Sequence, residues 1–183
     1  APLLAYELNA SCPNAPSGLL SASTLGMVLR AARKRTQRPI SVKLAYQTAD
    51  DLLGKARLCA EEGADALTAI NTMPALDLNA IPLRDDSRFV GGLSGPGLTP
   101  FAQWAVSLLV REQPLPVIAC GGISSLTQVL AFGALGAAAV QVGSVLIEDP
   151  LRMQVIADDL RAAMRTYNVD TFTALGEALC QPR

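Results

Sequence analysis

The chain has 183 residues, half of them hydrophobic and 17% charged, a composition that suits a packed core and excludes a disordered chain. Lys and Arg number 15 against 16 Asp and Glu, so the net charge of −1 offers no bulk attraction to nucleic acid or an anionic membrane. With no histidine, proton chemistry falls to Cys, Lys, Asp, Glu or Tyr. No apolar run approaches the roughly 18 residues of a membrane span, and Ala1 to Ala10 lacks the basic and apolar blocks of a signal peptide, so the expected location is the cytoplasm.

In chain order, Leu4 to Leu8 is an apolar run that ends on Asn9, and Thr24 to Lys34 follows with helical spacing. The basic run Arg30 to Arg38 suits the solvated C-terminal end of that helix. Ile40 to Leu44 reads as a second strand, Asp50 to Glu61 as a helix and Ala66 to Ile70 as a third strand. Helices are predicted over Pro100 to Arg111, Ser125 to Phe132, Pro150 to Arg165 and Thr171 to Leu179, with strands at Val117 to Ala119 and Ala138 to Val142. An internal echo, Gly63-Ala64-Asp65-Ala66-Leu67 and Gly136-Ala137-Ala138-Ala139-Val140, marks a repeated helix-then-strand unit.

Strands that alternate with helices imply a parallel sheet, and each strand here runs into a polar or glycine residue: Asn9, Lys43, Asn71, Gly121 and Gly143. A (β/α)8 barrel takes about 250 residues, whereas five strands are read here. The fold class is therefore α/β of the parallel (β/α)8 TIM-barrel type, about five strands of it, as one domain over residues 1–183. Either the chain is a fragment or split subunit of such a barrel, or the five strands form an open sheet of their own. An exposed sheet edge favours association into an oligomer.

Cys12, Cys59, Cys120 and Cys180 stand far apart without a C-x-x-C pair, so no metal site is expected and the thiols read as reduced. Cys59 and Cys180 fall on apolar helix faces and read as packing. Cys12 differs, because Asn9-Ala10-Ser11-Cys12-Pro13-Asn14 follows a strand directly and surrounds a thiol with amides. Gly121-Gly122 and Gly143-Ser144 precede helical segments, where backbone N–H groups and a hydroxyl could approach a phosphate. Lys43, at a strand end, needs solvent or an anionic partner.

ELNASCPN, with SVKL around Lys43, INT at Ile70 to Thr72, GGLSGPGLTP from Gly91 to Pro100, CGGI at Cys120 to Ile123 and QVGS at Gln141 to Ser144, resembles the class 1 dihydroorotate dehydrogenases in the family's order. The resemblance covers the whole chain and implies oxidation of dihydroorotate to orotate with FMN. It assigns Cys12 as catalytic base, Asn9, Asn14, Asn71 and Thr72 to the pyrimidine, and Lys43, Ile70, Gly95, Gly121, Gly122, Gly143 and Ser144 to the flavin. Cys120 stands where the family often has Thr or Met and is expected to face packing.

The family's first strands carry a further lysine at the flavin and an asparagine-bearing loop at the substrate, and neither is found in this sequence. An N-terminal half is thus an expected partner, as is an electron-transfer subunit, since GGLSGP looks closer to the members that work with a nicotinamide and iron–sulfur partner. The flavin domain of dihydropyrimidine dehydrogenase resembles the same segments, although CPN favours orotate. A non-catalytic half-barrel is a further alternative. The tRNA dihydrouridine synthases resemble only the N-x-x-C-P core, and RNA modification would call for a basic surface.

Overall fold

A computed structural model describes residues 3–11, 20–76 and 90–181 of the chain. In order they form β1 (Tyr6–Asn9), α1 (Ala22–Arg33), β2 (Ile40–Leu44), α2 (Ala49–Glu61), β3 (Ala66–Ala69), β4 (Met73–Leu76) and β5 (Val90–Leu93). A 3-10 turn at Gly95–Leu98 leads into α3 (Thr99–Glu112), followed by β6 (Val117–Cys120), α4 (Leu126–Ala134) and β7 (Ala139–Gln141). The chain then folds into α5 (Val145–Glu148), α6 (Arg152–Tyr167) and α7 (Phe172–Cys180). Among the described residues no helix is long and apolar enough to cross a membrane.

Five strands make one sheet in the order β1-β2-β3-β6-β7, and every pairing is parallel. This sequential order is that of a barrel segment; a doubly wound sheet would reverse it. The sequence reading missed the two-stranded antiparallel hairpin of β4 and β5. Its strands, MPAL and VGGL, are too short and too rich in Pro and Gly to show a period.

Local chemistry accounts for the helices. Ser21 Oγ accepts from Thr24 N at 3.2 Å and Thr48 Oγ1 accepts from Asp51 N at 3.3 Å, capping α1 and α2, with Asp50 and Asp51 in the first turn of α2. Each cap stabilises its helix by about 1 kcal/mol. Apolar residues at helical spacing, Leu25 and Leu29 on α1 and Leu52, Ala56 and Cys59 on α2, join Ile40, Val42 and Leu44 of β2 in the core. The close packing of α4 and α7 requires glycine, because a Cβ on Gly176 would fall on the Gly133 carbonyl.

The two ends of the sheet serve different purposes. At the strand N-termini Arg33 Nη2 donates to Gly63 O at 2.6 Å and pairs with Asp65 Oδ2 at 2.5 Å, while Ile40 N donates to the same oxygen at 2.7 Å. Arg30 pairs with Glu62. The basic run at the end of α1 is therefore partly used in ion pairs that lock helix to sheet. The opposite end carries the polar residues.

Candidate active site

Strand pleating decides which side chains meet. On β2, Ile40, Val42 and Leu44 are buried toward the helices, so Ser41 and Lys43 face the other way. Parallel register sets Glu7 beside Ser41, Asn9 beside Lys43, Lys43 beside Thr68, Thr68 beside Ile118 and Cys120 beside Gln141. The inner face of the sheet thus carries a polar row drawn from all five strands.

Above this row, at the strand C-termini, opens a cleft of about 500 Å³ counted with its mouth. Lys43 lines it from β2, and Ile70, Asn71 and Thr72 from the end of β3. Ser94, Gly95 and Leu98 come from the 3-10 turn, Cys120 to Ile123 from the end of β6, and Gln141, Gly143 and Ser144 from the end of β7. A smaller adjoining cleft shares Gly95, Gly122, Ile123 and Ser144 and adds Ser124, Val145 and Glu148. Its walls mix apolar side chains and glycine backbone with the polar side chains of Lys43, Asn71, Thr72, Ser94, Gln141 and Ser144, a lining that suits a polar small-molecule ligand.

Glycine serves the two turns in different ways. Gly95, Gly121 and Gly122 have φ of 72°, 134° and 73°, the region open to glycine. A Cβ on Gly122 would meet the Thr99 hydroxyl and stand 2.7 Å from Gly95 O, whereas a Cβ on Gly143 would meet nothing within 4 Å. The first turn is closely packed, and the second is open to whatever fills the cleft. The Ser124 and Ser144 hydroxyls and the backbone of the turns line the smaller cleft together with the Glu148 carboxylate, and Lys43 supplies a cation to the larger cleft.

Asn71 organises the neighbouring loop. Its Nδ2 donates to Asn9 Oδ1 at 3.0 Å, to Ser11 Oγ at 3.0 Å and to Ser11 O at 3.1 Å, and its Oδ1 accepts from Thr72 N at 2.8 Å. Ser11 is buried, so the residue preceding Cys12 is tied to the end of β3. Thr72 is covered by the hairpin, where a Cβ on Gly92 would collide with it.

Nine residues predicted for the site therefore line one cleft: Lys43, Ile70, Asn71, Thr72, Gly95, Gly121, Gly122, Gly143 and Ser144. Asn9 joins them through Asn71. Cys12 and Asn14 lie outside the described residues. Cys120 corrects the expectation of packing, since it lines the cleft; burial pushes its thiol up, and Lys43 partly opposes that. Cys180 corrects the other, being exposed with its thiol donating to Ala134 O at 3.2 Å. Sequence reasoning overlooked Glu7 and Gln141, although each stands two residues before a chosen residue, Asn9 and Gly143, and so shares its strand face.

Residues 4–164 match the family model described as "Dihydroorotate dehydrogenase". The chain belongs to the dihydroorotate dehydrogenase family. It is 36% identical over 181 residues to a relative from Pelobacter propionicus named "Dihydroorotate dehydrogenase B (NAD(+)), catalytic subunit", covering 94% of this chain and 58% of that protein. A dihydroorotate dehydrogenase A (fumarate) from Limosilactobacillus reuteri is 36% identical over 179 residues, again covering 94% of this chain and 58% of the relative. The chain thus spans less than two thirds of the length of these dihydroorotate dehydrogenases. In fold it is similar to the crystal structure of an Eimeria tenella dihydroorotate dehydrogenase in complex with ferulenol, with a TM-score of 0.79, 23% identity and coverage of 98% of this chain and 55% of the other. That likeness bears out the partial TIM-barrel fold.

Proposed function

We propose that this chain forms the flavin-holding side of a site that oxidises dihydroorotate to orotate. The observation that supports the reading is the convergence of Lys43, Asn71, Thr72 and both glycine turns on one cleft at the strand C-termini. Ser144 and the backbone of Gly95, Gly122 and Gly143 hold the phosphate of FMN, and Ile70 and Lys43 meet the rest of the cofactor. FMN, when bound, supplies the acceptor for the hydride that leaves C6 of dihydroorotate.

The chain's own residues do the remaining work. Cys12, as thiolate, takes the proton from C5, so that the C5–C6 double bond forms as the two hydrogens depart. Asn9, Asn14, Asn71 and Thr72 match the alternating C=O and N–H edge of the pyrimidine. The hydrogen bonds from Asn71 to Ser11 support this reading, because they tether the segment that leads into Cys12. Two partners follow. A further β/α segment completes the barrel, as the relatives' greater length suggests, and an electron-accepting subunit is suggested by the name "catalytic subunit" of the P. propionicus relative.

Titration of FMN into the purified chain, followed by quenching of flavin fluorescence, tests the core of this reading. Saturable quenching, weakened about tenfold by Lys43→Ala through loss of a charged contact, is expected. The titration is repeated with the chain paired to a segment that completes the barrel, and FMN fluorescence unchanged there sinks it.

A further inference from the structure

Below the cleft lies a polar cluster that the proposed chemistry leaves unused. Glu7 Oε2 accepts from Thr68 Oγ1 at 2.7 Å and from Gln141 Nε2 at 2.6 Å. Lys43 Nζ stands 3.9 Å from Glu7 Oε1 and donates to Gln141 Oε1 at a long 3.5 Å. Lys43 and Gln141 line the cleft, Glu7 is not among the lining residues, and Thr68 is fully buried. Glu7 is the node of this cluster, with a carboxylate that remains partly open to solvent. It holds the nitrogen of Gln141, which turns that side chain's oxygen toward the lysine, and it faces the lysine itself. A lysine side chain has about 2 kcal/mol of rotamer entropy, so an ammonium without such neighbours would wander over the cleft wall.

We propose that Glu7 is a positioning residue for Lys43, holding the ammonium at one place on the cleft wall and offsetting part of its charge, and that it thereby sets the redox potential of the flavin. The inference rests on the flavin reading of the cleft. Its sign follows from Coulomb's law: a cation beside an electron acceptor favours the reduced form, and a carboxylate behind that cation weakens the effect. Glu7→Gln keeps the size of the side chain and an oxygen for Thr68 and Gln141 while removing the charge. The reduced-to-oxidised ratio at a fixed potential should then rise about tenfold, which is ~30 mV for a two-electron couple.

The test takes the 183-residue chain paired with a segment that completes the barrel, its Glu7→Gln and Glu7→Ala variants, and Lys43→Met with and without Glu7→Gln. Potentials of the FMN-loaded proteins are measured by equilibration with reference dyes. The expected result is a higher potential in Glu7→Gln, and a rise of a different size from that change when Lys43 is already Met, because the carboxylate's own field acts in both backgrounds and the difference measures what it does through the lysine. A purely structural role would leave the potential of the isosteric variant where it was, so equal potentials in parent and Glu7→Gln overturn the proposal. The Gln141 side-chain amide, followed by NMR in flavin-free protein, separates the two readings. In Glu7→Ala its N–H protons should shift and exchange faster. A completed barrel that takes up no FMN overturns the flavin reading and the redox part together, and an unshifted Gln141 amide in Glu7→Ala overturns the Glu7 hydrogen bond on which the positioning rests.

Discussion

Gln141 Nε2 donates to Glu7 Oε2 at 2.6 Å, although the two residues are 134 positions apart and belong to the two outer strands of the five-stranded sheet. Neighbouring strands are spaced about 4.8 Å, so a flat sheet would hold its outer strands roughly 19 Å apart. Two side chains of this length cannot bridge that gap. The contact requires a sheet curled into an arc, and the arc makes the inner face a concavity with the cleft at its upper rim.

Breaking the bridge should loosen the arc. Gln141→Ala removes one partner of a partly exposed carboxylate and should cost about 1 kcal/mol. Urea unfolding of parent, Gln141→Ala, Glu7→Ala and the double variant should give a coupling of at least about 0.5 kcal/mol between the two sites. Strict additivity would mean that the contact contributes nothing to the fold.

The two glycine turns should respond differently to a methyl group. Gly122→Ala forces a side chain onto Thr99 and Gly95 at a φ of 73°, and should destabilise by about 2 kcal/mol or more. Gly143→Ala adds a methyl with nothing within 4 Å, so stability should change by less than about 0.5 kcal/mol. FMN affinity, read by fluorescence titration, should nevertheless fall about tenfold in Gly143→Ala because the methyl enters the cleft. Unchanged affinity would remove Gly143 from the phosphate cradle.

Cys59 should limit alkaline stability. Burial pushes its thiol up to about 12, and the positive charge of Lys55 opposes this only in part. The folded state therefore keeps a proton that the unfolded chain releases near its ordinary value of about 8.5. The contribution is whole below that pH and is lost above it, amounting to about 2 kcal/mol at about pH 10. Urea midpoints taken from about pH 7 to 10 should fall less steeply in Cys59→Ala than in the parent. Ellman's reagent should modify the exposed Cys180 in native protein and reach Cys59 only on unfolding.

Asp65 should matter at the acid end. The hydrogen bond from Ile40 N, followed by the Arg33 guanidinium, holds its carboxyl below the usual range. A lowered folded value means stability that is present above the unfolded value of about 3.9 and lost as pH falls through the folded one. The side chain is half exposed, which screens the ion pair and keeps the effect small. Asp65→Asn, which retains an acceptor for Ile40 N, should show a smaller loss of urea midpoint on acidification than the parent. Parallel acid profiles would assign Asp65 no role in locking α1 to the sheet.

Much of this molecule is written locally. Alternating strands and amphipathic helices, the Ser21 and Thr48 caps and the glycine turns all depend on neighbours a few residues away, so they can be read along the chain. The same holds for the family resemblance and for the cluster of site residues at strand ends. The β4–β5 hairpin escaped because strands of four residues with Pro and Gly carry no period. Which way Cys120 faces was legible in principle, since Ala119 is buried and pleating turns its neighbour to the other side.

Curvature was not legible. That Glu7 meets Gln141 and that Lys43 finds a carboxylate within its own chain depend on how far five parallel strands bend. Bending is set by twist accumulated over the whole sheet and by the packing of helices outside it, and no short stretch of sequence encodes it. The sequence determined the residue types available at each strand end, while the tertiary structure alone decided which of them touch, because those contacts join residues up to 134 positions apart.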